Sequence, residues 1–189
     1  MNPQITNLVI ILGMMQVSKR VPFEDPTVLN YIRAMYILSN IIILGLYFLT
    51  GQKIKSKNDQ TTLKYVEPAP PMSGEEPKLI TTTVREYDQS QLKTSYKSVL
   101  MGVGMMAVMH LYFKYTNPLL VQSILPLKGA LESKLVQIHV FGKPAIGDLK
   151  RPFKAAGLMS AMNGGAEVKT DKKSLEQAEK NSRGGVKEE

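Results

Sequence analysis

Three apolar blocks punctuate an otherwise polar chain. They run from Ile5 to Val17, from Val28 to Leu49 and from Val99 to Phe113. A hydrocarbon core of ~30 Å takes roughly twenty helical residues. Only the second block has that length. The first and third are short, which predicts soluble core helices, partial spans, or spans in a locally thinned bilayer. The second block also has a clear start. In "EDPT", Asp25 is placed to cap a helix and Pro26 to occupy its first position, where a missing N–H costs nothing. Gly51 is the expected stop, followed by Lys53, Lys55 and Lys57.

Between the second and third blocks, "TTLKYVEP" and "KLITTTVREYD" are rich in Thr, Val, Ile and Tyr and predict two strands joined through "APPMSGEEP". A third strand is expected at "KLVQIHVF", residues 134–141, where Val136, Ile138 and Val140 alternate with Gln137, His139 and Phe141. One shared sheet would put these segments on the same side of a membrane. "TNPLLVQSILPLKGALE" would then be a re-entrant or interfacial return, broken at Pro118 and Pro126. The lysines after the second block favour the cytosol for that side. Lys19 and Arg20 after the first block argue the opposite, so the position of the N-terminus stays open.

The expected fold is therefore a mainly α membrane protein. It has two to three short transmembrane or re-entrant helices, a small β-containing extramembrane element and a basic, mostly disordered C-terminal tail. The segments are an N-terminal membrane helical hairpin (1–51), a polar insert with a β-hairpin (52–97), a third membrane helix with its re-entrant segment (98–133), a strand and basic loop (134–157) and a flexible tail (158–189). The tail's Gly, Lys and Ala cannot bury enough apolar surface to offset ordering entropy, apart from one short helix expected near 172–181.

Composition narrows the chemistry. The net charge is +8, which suggests phosphate-rich partners. There is no Cys, so disulfides and thiolate chemistry are excluded. With two His and no Ser/His/Asp set, paired carboxylates or phosphate loop in a convincing frame, no enzyme, metal site or cofactor is expected. What remains is polarity inside apolar blocks. Arg33, Tyr36, Asn40 and Tyr47 share one helical stripe. Intramembrane polar groups face protein or water-filled space, so Arg33 and Asn40, with Gln16 and His110, are candidate groove residues. A soft face of Met101, Met105 and Met109 lies beside Met106, and Met14 and Met15 repeat the theme. Met-rich surfaces suit varied apolar partners, although such stripes more often fill a core. Lys143, Lys150, Arg151, Lys154, Lys169, Lys172, Lys173, Lys180 and Arg183 are candidates for ribosomal RNA phosphate or lipid headgroups.

The segments "EDPT", "KYVEP", "MSGEEPKL", "TTVREYD", "HLYFKYTNPL", "IHVFGKPAIGDLKRPFKA" and "KTDKKSLEQAE" together resemble the fungal Pho88 family, in order along essentially the whole chain. The resemblance implies a multi-pass protein of the endoplasmic reticulum membrane, with the polar insert and tail in the cytosol. It implies a role in SRP-independent (SND) targeting and insertion of client proteins. The implied partners are the Sec61 translocon and its associated membrane subunits, other SND components, the ribosome, client transmembrane segments and the lipid bilayer. The Met residues would meet clients. Regulation of inorganic phosphate transport, and a passive translocon scaffold, are the alternatives.

Overall fold

The computed structural model describes residues 3–67 and 78–153, with Leu175, which is helical, beyond them. Its order is α1 (Pro3–Ser18), α2 (Pro26–Lys57), β1 (Thr62–Glu67), β2 (Lys78–Thr83), α3 (Val84–Ala107), α4 (Asn117–Glu132) and α5 (Lys134–His139). A π-helical turn, Val108–Tyr112, extends α3, and a single 3-10 turn covers Gly147–Leu149. The protein is mainly helical with one small two-stranded sheet. It divides into two compact units, Met1–Ser56 with Gln89–Lys143, and Lys57–Asp88 with Pro144–Glu189.

In the first unit, α2 starts as its sequence dictates. Asp25 Oδ1 accepts from the Thr27 N–H at 2.8 Å and Pro26 is the first helical residue. The expected stop at Gly51 does not occur, and the helix runs on to Lys57. Gly51 instead permits a close approach: a Cβ there would lie 3.1 Å from Leu92 Cδ2 of α3. Helix α2 is long and apolar enough to cross a membrane, yet only 22% of its most apolar window is buried.

Contacts at three levels set α2 and α3 antiparallel: Gly51 with Leu92, Tyr47 edge-on to Tyr96 at 5.6 Å between ring centroids, and Arg33 with His110. From Arg33 to Gly51 this register covers about 27 Å along the axis. Helix α4 is continuous rather than broken. Pro118 falls in its first turn, where no hydrogen bond is lost, and Pro126 is tolerated inside. Near the Arg33 level, Ile32, Met106, Leu119 and Leu120 form a buried cluster, with Met14, Val21, Phe23, Val28, Tyr36 and Met109 packed on it. Toward the other end, Lys128 Nζ donates to Asn7 Oδ1 at 2.8 Å, tying α1 to α4.

The expected strand at 134–141 is a helix. Ser133 caps it, accepting from the Val136 N–H, and Leu135, Val136, Ile138 and His139 are buried. Burial on consecutive positions replaces the alternation a half-buried strand needs. Three residues beyond the helix, Gly142 at φ +69° takes the left-handed conformation that glycine adopts freely. The topology argument from a shared three-stranded sheet falls with that strand.

In the second unit, β1 and β2 pair antiparallel, with Thr62 opposite Thr83 and Glu67 opposite Lys78. The turn "APPMSGEEP" lies outside the described residues. The strand expected to run through residue 88 ends at Thr83 because a capping box starts α3 there. The Glu86 N–H donates to Thr83 Oγ1 at 3.2 Å, and the Thr83 N–H donates to Glu86 Oε2 at 3.5 Å. Asp59, just before β1, accepts from the Thr61 hydroxyl at 2.6 Å and its N–H at 3.0 Å, which holds its carboxyl below the ordinary range. Tyr87 packs edge-on between Tyr65 and Phe153, and its hydroxyl accepts from the Phe153 N–H at 2.7 Å. Beside it, Arg151 donates Nε–H and Nη2–H to the two oxygens of Asp88, both at 2.6 Å. This fork–fork pair fixes the returning segment 144–153 onto Tyr87 and Asp88.

Candidate functional site

Helices α2, α3 and α4 of the first unit border a cleft of about 380 Å³. Helix α2 contributes Tyr36, Asn40 and Tyr47. Helix α3 contributes Gln91, Thr94, Ser95, Ser98, Val99, Gly102 and Val103. Helix α4 contributes Gln122, Pro126, Gly129 and Ala130. The α3 residues recur every three to four positions, one face of a helix. On α2 the lining starts in the middle of the apolar block and extends toward its lysine-rich end.

The cleft is mixed in polarity and uncharged. Phenols, amides and hydroxyls interleave with Val99, Val103, Pro126 and Ala130, with no Lys, Arg, Asp or Glu among them. Three of the polar side chains are anchored within their own helix. Asn40 Nδ2 donates to the Tyr36 carbonyl at 2.9 Å, Thr94 Oγ1 to that of Ser90 at 3.1 Å and Ser95 Oγ to that of Gln91 at 3.0 Å. The neighbouring Thr50 and Ser123 do the same with Leu46 and Leu119, each at 2.7 Å. Pro126 has no N–H for the Gln122 carbonyl, so one acceptor on this wall lacks its usual helical donor. Glycine makes the room. A Cβ on Gly102 or Gly129 would meet nothing within 4 Å.

The four candidate groove residues separate. Asn40 lines the cleft. Arg33 and His110 meet one another instead: Arg33 Nε donates to His110 Nε2 at 2.9 Å and Arg33 Nη1 to Asn30 Oδ1 at 3.2 Å. Because His110 Nε2 accepts, its Nδ1 carries the proton and donates to the Tyr115 carbonyl at 3.2 Å. Gln16 is exposed on α1, away from the lining.

The methionines also divide. Met101 and Met105 are 75% and 69% exposed, and Met15 is exposed on α1. Met106 is buried at 4%, and Met14 and Met109 pack against its cluster, so these three contribute to the core. Among the basic candidates, Lys143 and Lys150 are exposed, with Lys143 Nζ on Gln137 Oε1 at 3.1 Å. Arg151 is engaged by Asp88 with 9% of its side chain exposed, rather than offered to phosphate. Lys154, Lys169, Lys172, Lys173, Lys180 and Arg183 lie outside the described residues, as do the tail expected to be flexible and, Leu175 apart, the short helix expected near 172–181.

The α3 and α4 walls were missed in the sequence. Residues 91–97 were assigned to the polar insert, and Gln122 to a broken return. The signal was present in the helical period of Gln91, Thr94, Ser95, Ser98 and Gly102.

The comparisons with known proteins cover the chain from end to end. It is 54% identical over 189 residues to a Saccharomyces cerevisiae protein named SRP-independent targeting protein 3, with all of both chains aligned. It is 44% identical over 179 residues to a Schizosaccharomyces pombe protein named SRP-independent targeting protein 3 homolog, covering 94% of this chain and 91% of that one. An uncharacterized protein of the same organism is 50% identical over 165 residues, 86% of this chain and 82% of its own. No solved structure matches. The profile described as phosphate transport (Pho88) matches residues 1–186, and the chain belongs to the Pho88 family.

Proposed function

We propose that this chain is a multi-pass protein of the endoplasmic reticulum membrane that helps target and insert client membrane and secretory proteins independently of SRP. The observation that carries the reading is an uncharged cleft with polar groups on all three of its walls, in a unit whose helices expose apolar faces. On α1, Ile5, Leu8, Val9 and Leu12 are exposed, on α2 Ile37, Leu38, Ile41 and Phe48, and on α3 Leu100, Met101, Met105 and Leu111. Such surfaces call for an apolar surround. The names of two close relatives support the targeting role.

Inserting a protein requires moving the polar flank of a client helix across hydrocarbon, where each unsatisfied group costs several kcal/mol. Tyr36, Asn40, Gln91, Ser98 and Gln122 supply hydrogen-bonding atoms along that path. Met101 and Met105, soft and exposed, receive the client's apolar segment, with Met15 on α1 as a further contact. Lys53, Lys55, Lys93 and Lys97 mark the cytosolic end, and the translocon, the other components of the pathway and the ribosome are engaged from there. The work is binding and positioning; it is not enzymatic and uses no cofactor. Lys143, Lys150 and the basic tail attract ribosomal RNA phosphate or headgroups, with affinity that falls as salt rises.

The family description favours a second reading, phosphate transport. Selecting free inorganic phosphate, a multiply charged anion with no counter-charge of its own, needs converging cations, and the cleft lining contains none. Photocrosslinkers placed at Ser98 and Met101 during translation test the first reading. Adducts with nascent clients are the expected result; labelling of lipid and the chain's own helices alone would refute it. Replacing Asn40 and Ser98 by Leu separates groove from scaffold, because a passive scaffold would tolerate the change.

A further inference from the structure

We propose that the same cleft carries phospholipid headgroups between the two leaflets, an activity separate from the handling of polypeptides. The inference rests on the membrane reading above and not on the targeting role. A phospholipid crosses slowly because its polar head must enter hydrocarbon. Two features lower that barrier, a thinner hydrocarbon layer and a polar path through what remains.

The thinning follows from the outer faces. The exposed apolar side chains of α2 extend from Tyr31 to Leu49, about 27 Å along the axis. Those of α3 extend from Leu100 to Phe113, about 20 Å, and those of α1 from Ile5 to Val17, about 18 Å. A bilayer core of ~30 Å fits α2 and exceeds both of the others. The lysines give the same answer. By the register of Gly51 with Leu92 and Tyr47 with Tyr96, Lys97 lies level with Leu46, seven residues short of Lys53. Lys93 and Lys97 are exposed, and no carboxylate of the described residues pairs with either. Their ammonium groups seek lipid phosphate, which draws the interface beside α3 about 10 Å inward of its place at the end of α2.

The polar path is the cleft. Its volume corresponds to roughly a dozen waters at about 30 Å³ each, room for a hydrated group. Amides, phenols and hydroxyls bond phosphate and ester oxygens. The absence of fixed charge on the lining matters equally, because passage needs binding weak enough to release. A lining cation would hold the phosphate. Gly102 and Gly129 keep the walls apart.

The test uses the full chain in phosphatidylcholine vesicles containing a trace of headgroup-labelled fluorescent lipid, bleached from outside by dithionite. Vesicles with the wild-type protein should lose fluorescence beyond the outer-leaflet half, toward all of it. The double substitution Gly102→Leu with Gly129→Leu starts from two positions where a Cβ meets nothing within 4 Å and should slow the exchange about tenfold or more. Gly45→Leu is the control: that position is equally open but does not line the cleft, and exchange should be unchanged. Bleaching that stops at half, in vesicles that float with protease-protected protein, overturns the proposal. So does a double variant as fast as wild type. Protein that fails to float removes the membrane reading and this inference with it. Normal lipid exchange without client crosslinks would sink the targeting role and leave this activity standing.

Discussion

Arg151→Ala should loosen the returning segment 144–153 far more than an ordinary surface substitution. Asp88 is 1% exposed and both of its oxygens accept from Arg151 at 2.6 Å. Removing the guanidinium leaves a carboxylate in a site closed to water, and breaking such a pair costs about 3–5 kcal/mol. Removing both charges is different, because apolar replacements of similar shape restore most or all of that loss. Asp88→Leu, Arg151→Met and the double variant Asp88→Leu/Arg151→Met therefore form a cycle with a coupling of several kcal/mol. The assay is native-state hydrogen exchange at the Phe153 N–H, which donates to Tyr87 Oη at 2.7 Å and reports opening of this segment directly. At 1.36 kcal/mol per tenfold, Arg151→Ala should speed exchange by roughly a hundredfold or more, and the double variant should return it to within about tenfold of wild type. An Arg151→Ala effect below about threefold would refute the reasoning. So would a double variant as loose as the single one, since the loss would then come from packing of the arginine stem on Phe153 rather than from the broken ion pair.

Tyr87 adds a pH dependence to the same segment. Burial pushes its phenol up to about 12. A raised folded-state pKa gives stability that is complete below the ordinary tyrosine value of 10.0 and is lost as pH rises toward 12. Segment 144–153 should therefore become protease-sensitive across that window, and Tyr87→Phe should abolish the dependence. At the other polar pair, His110→Phe leaves Arg33 with Asn30 alone and should lower stability in detergent by about 1 kcal/mol by thermal unfolding, with His110→Gln recovering part by keeping an acceptor. Pro126→Ala supplies the N–H that the Gln122 carbonyl lacks and should raise stability by about 1–3 kcal/mol while slowing lipid exchange, read by unfolding and bleaching on one preparation.

Much of the helical frame was legible because its signals are local. Asp25 and Pro26 begin α2 where side-chain chemistry says a helix must begin. Tyr36, Asn40 and Tyr47 share a stripe in the sequence and one wall in the structure. The misreadings occurred where two local signals competed. Thr81, Thr82 and Thr83 do close β2, but Thr83 and Glu86 also spell a capping box, and its reciprocal hydrogen bonds turn residues 84–88, read as strand, into the start of α3. At 134–139, alternation over so few residues does not separate a strand from a buried helical turn, and the Ser133 cap decided it. The cleft was half visible. Its α2 wall interrupts an apolar block and draws notice, whereas Gln91, Thr94 and Ser95 lie among other polar residues, where a stripe has no contrast. Met106 and Met101 are chemically alike in sequence, and only the opposing Ile32 and Leu119 bury one of them.

The carbonyl-bound hydroxyls and amides around the cleft have one more consequence. Asn40, Thr50, Thr94, Ser95 and Ser123 each close a hydrogen bond on a preceding turn of their own helix. Those bonds travel with the helix when it moves, so parting α2 from α3 or α4 strands none of these five donors in hydrocarbon. The cost of widening the aperture therefore falls on the Arg33–His110 pair and the Tyr47–Tyr96 contact rather than on these five bonds.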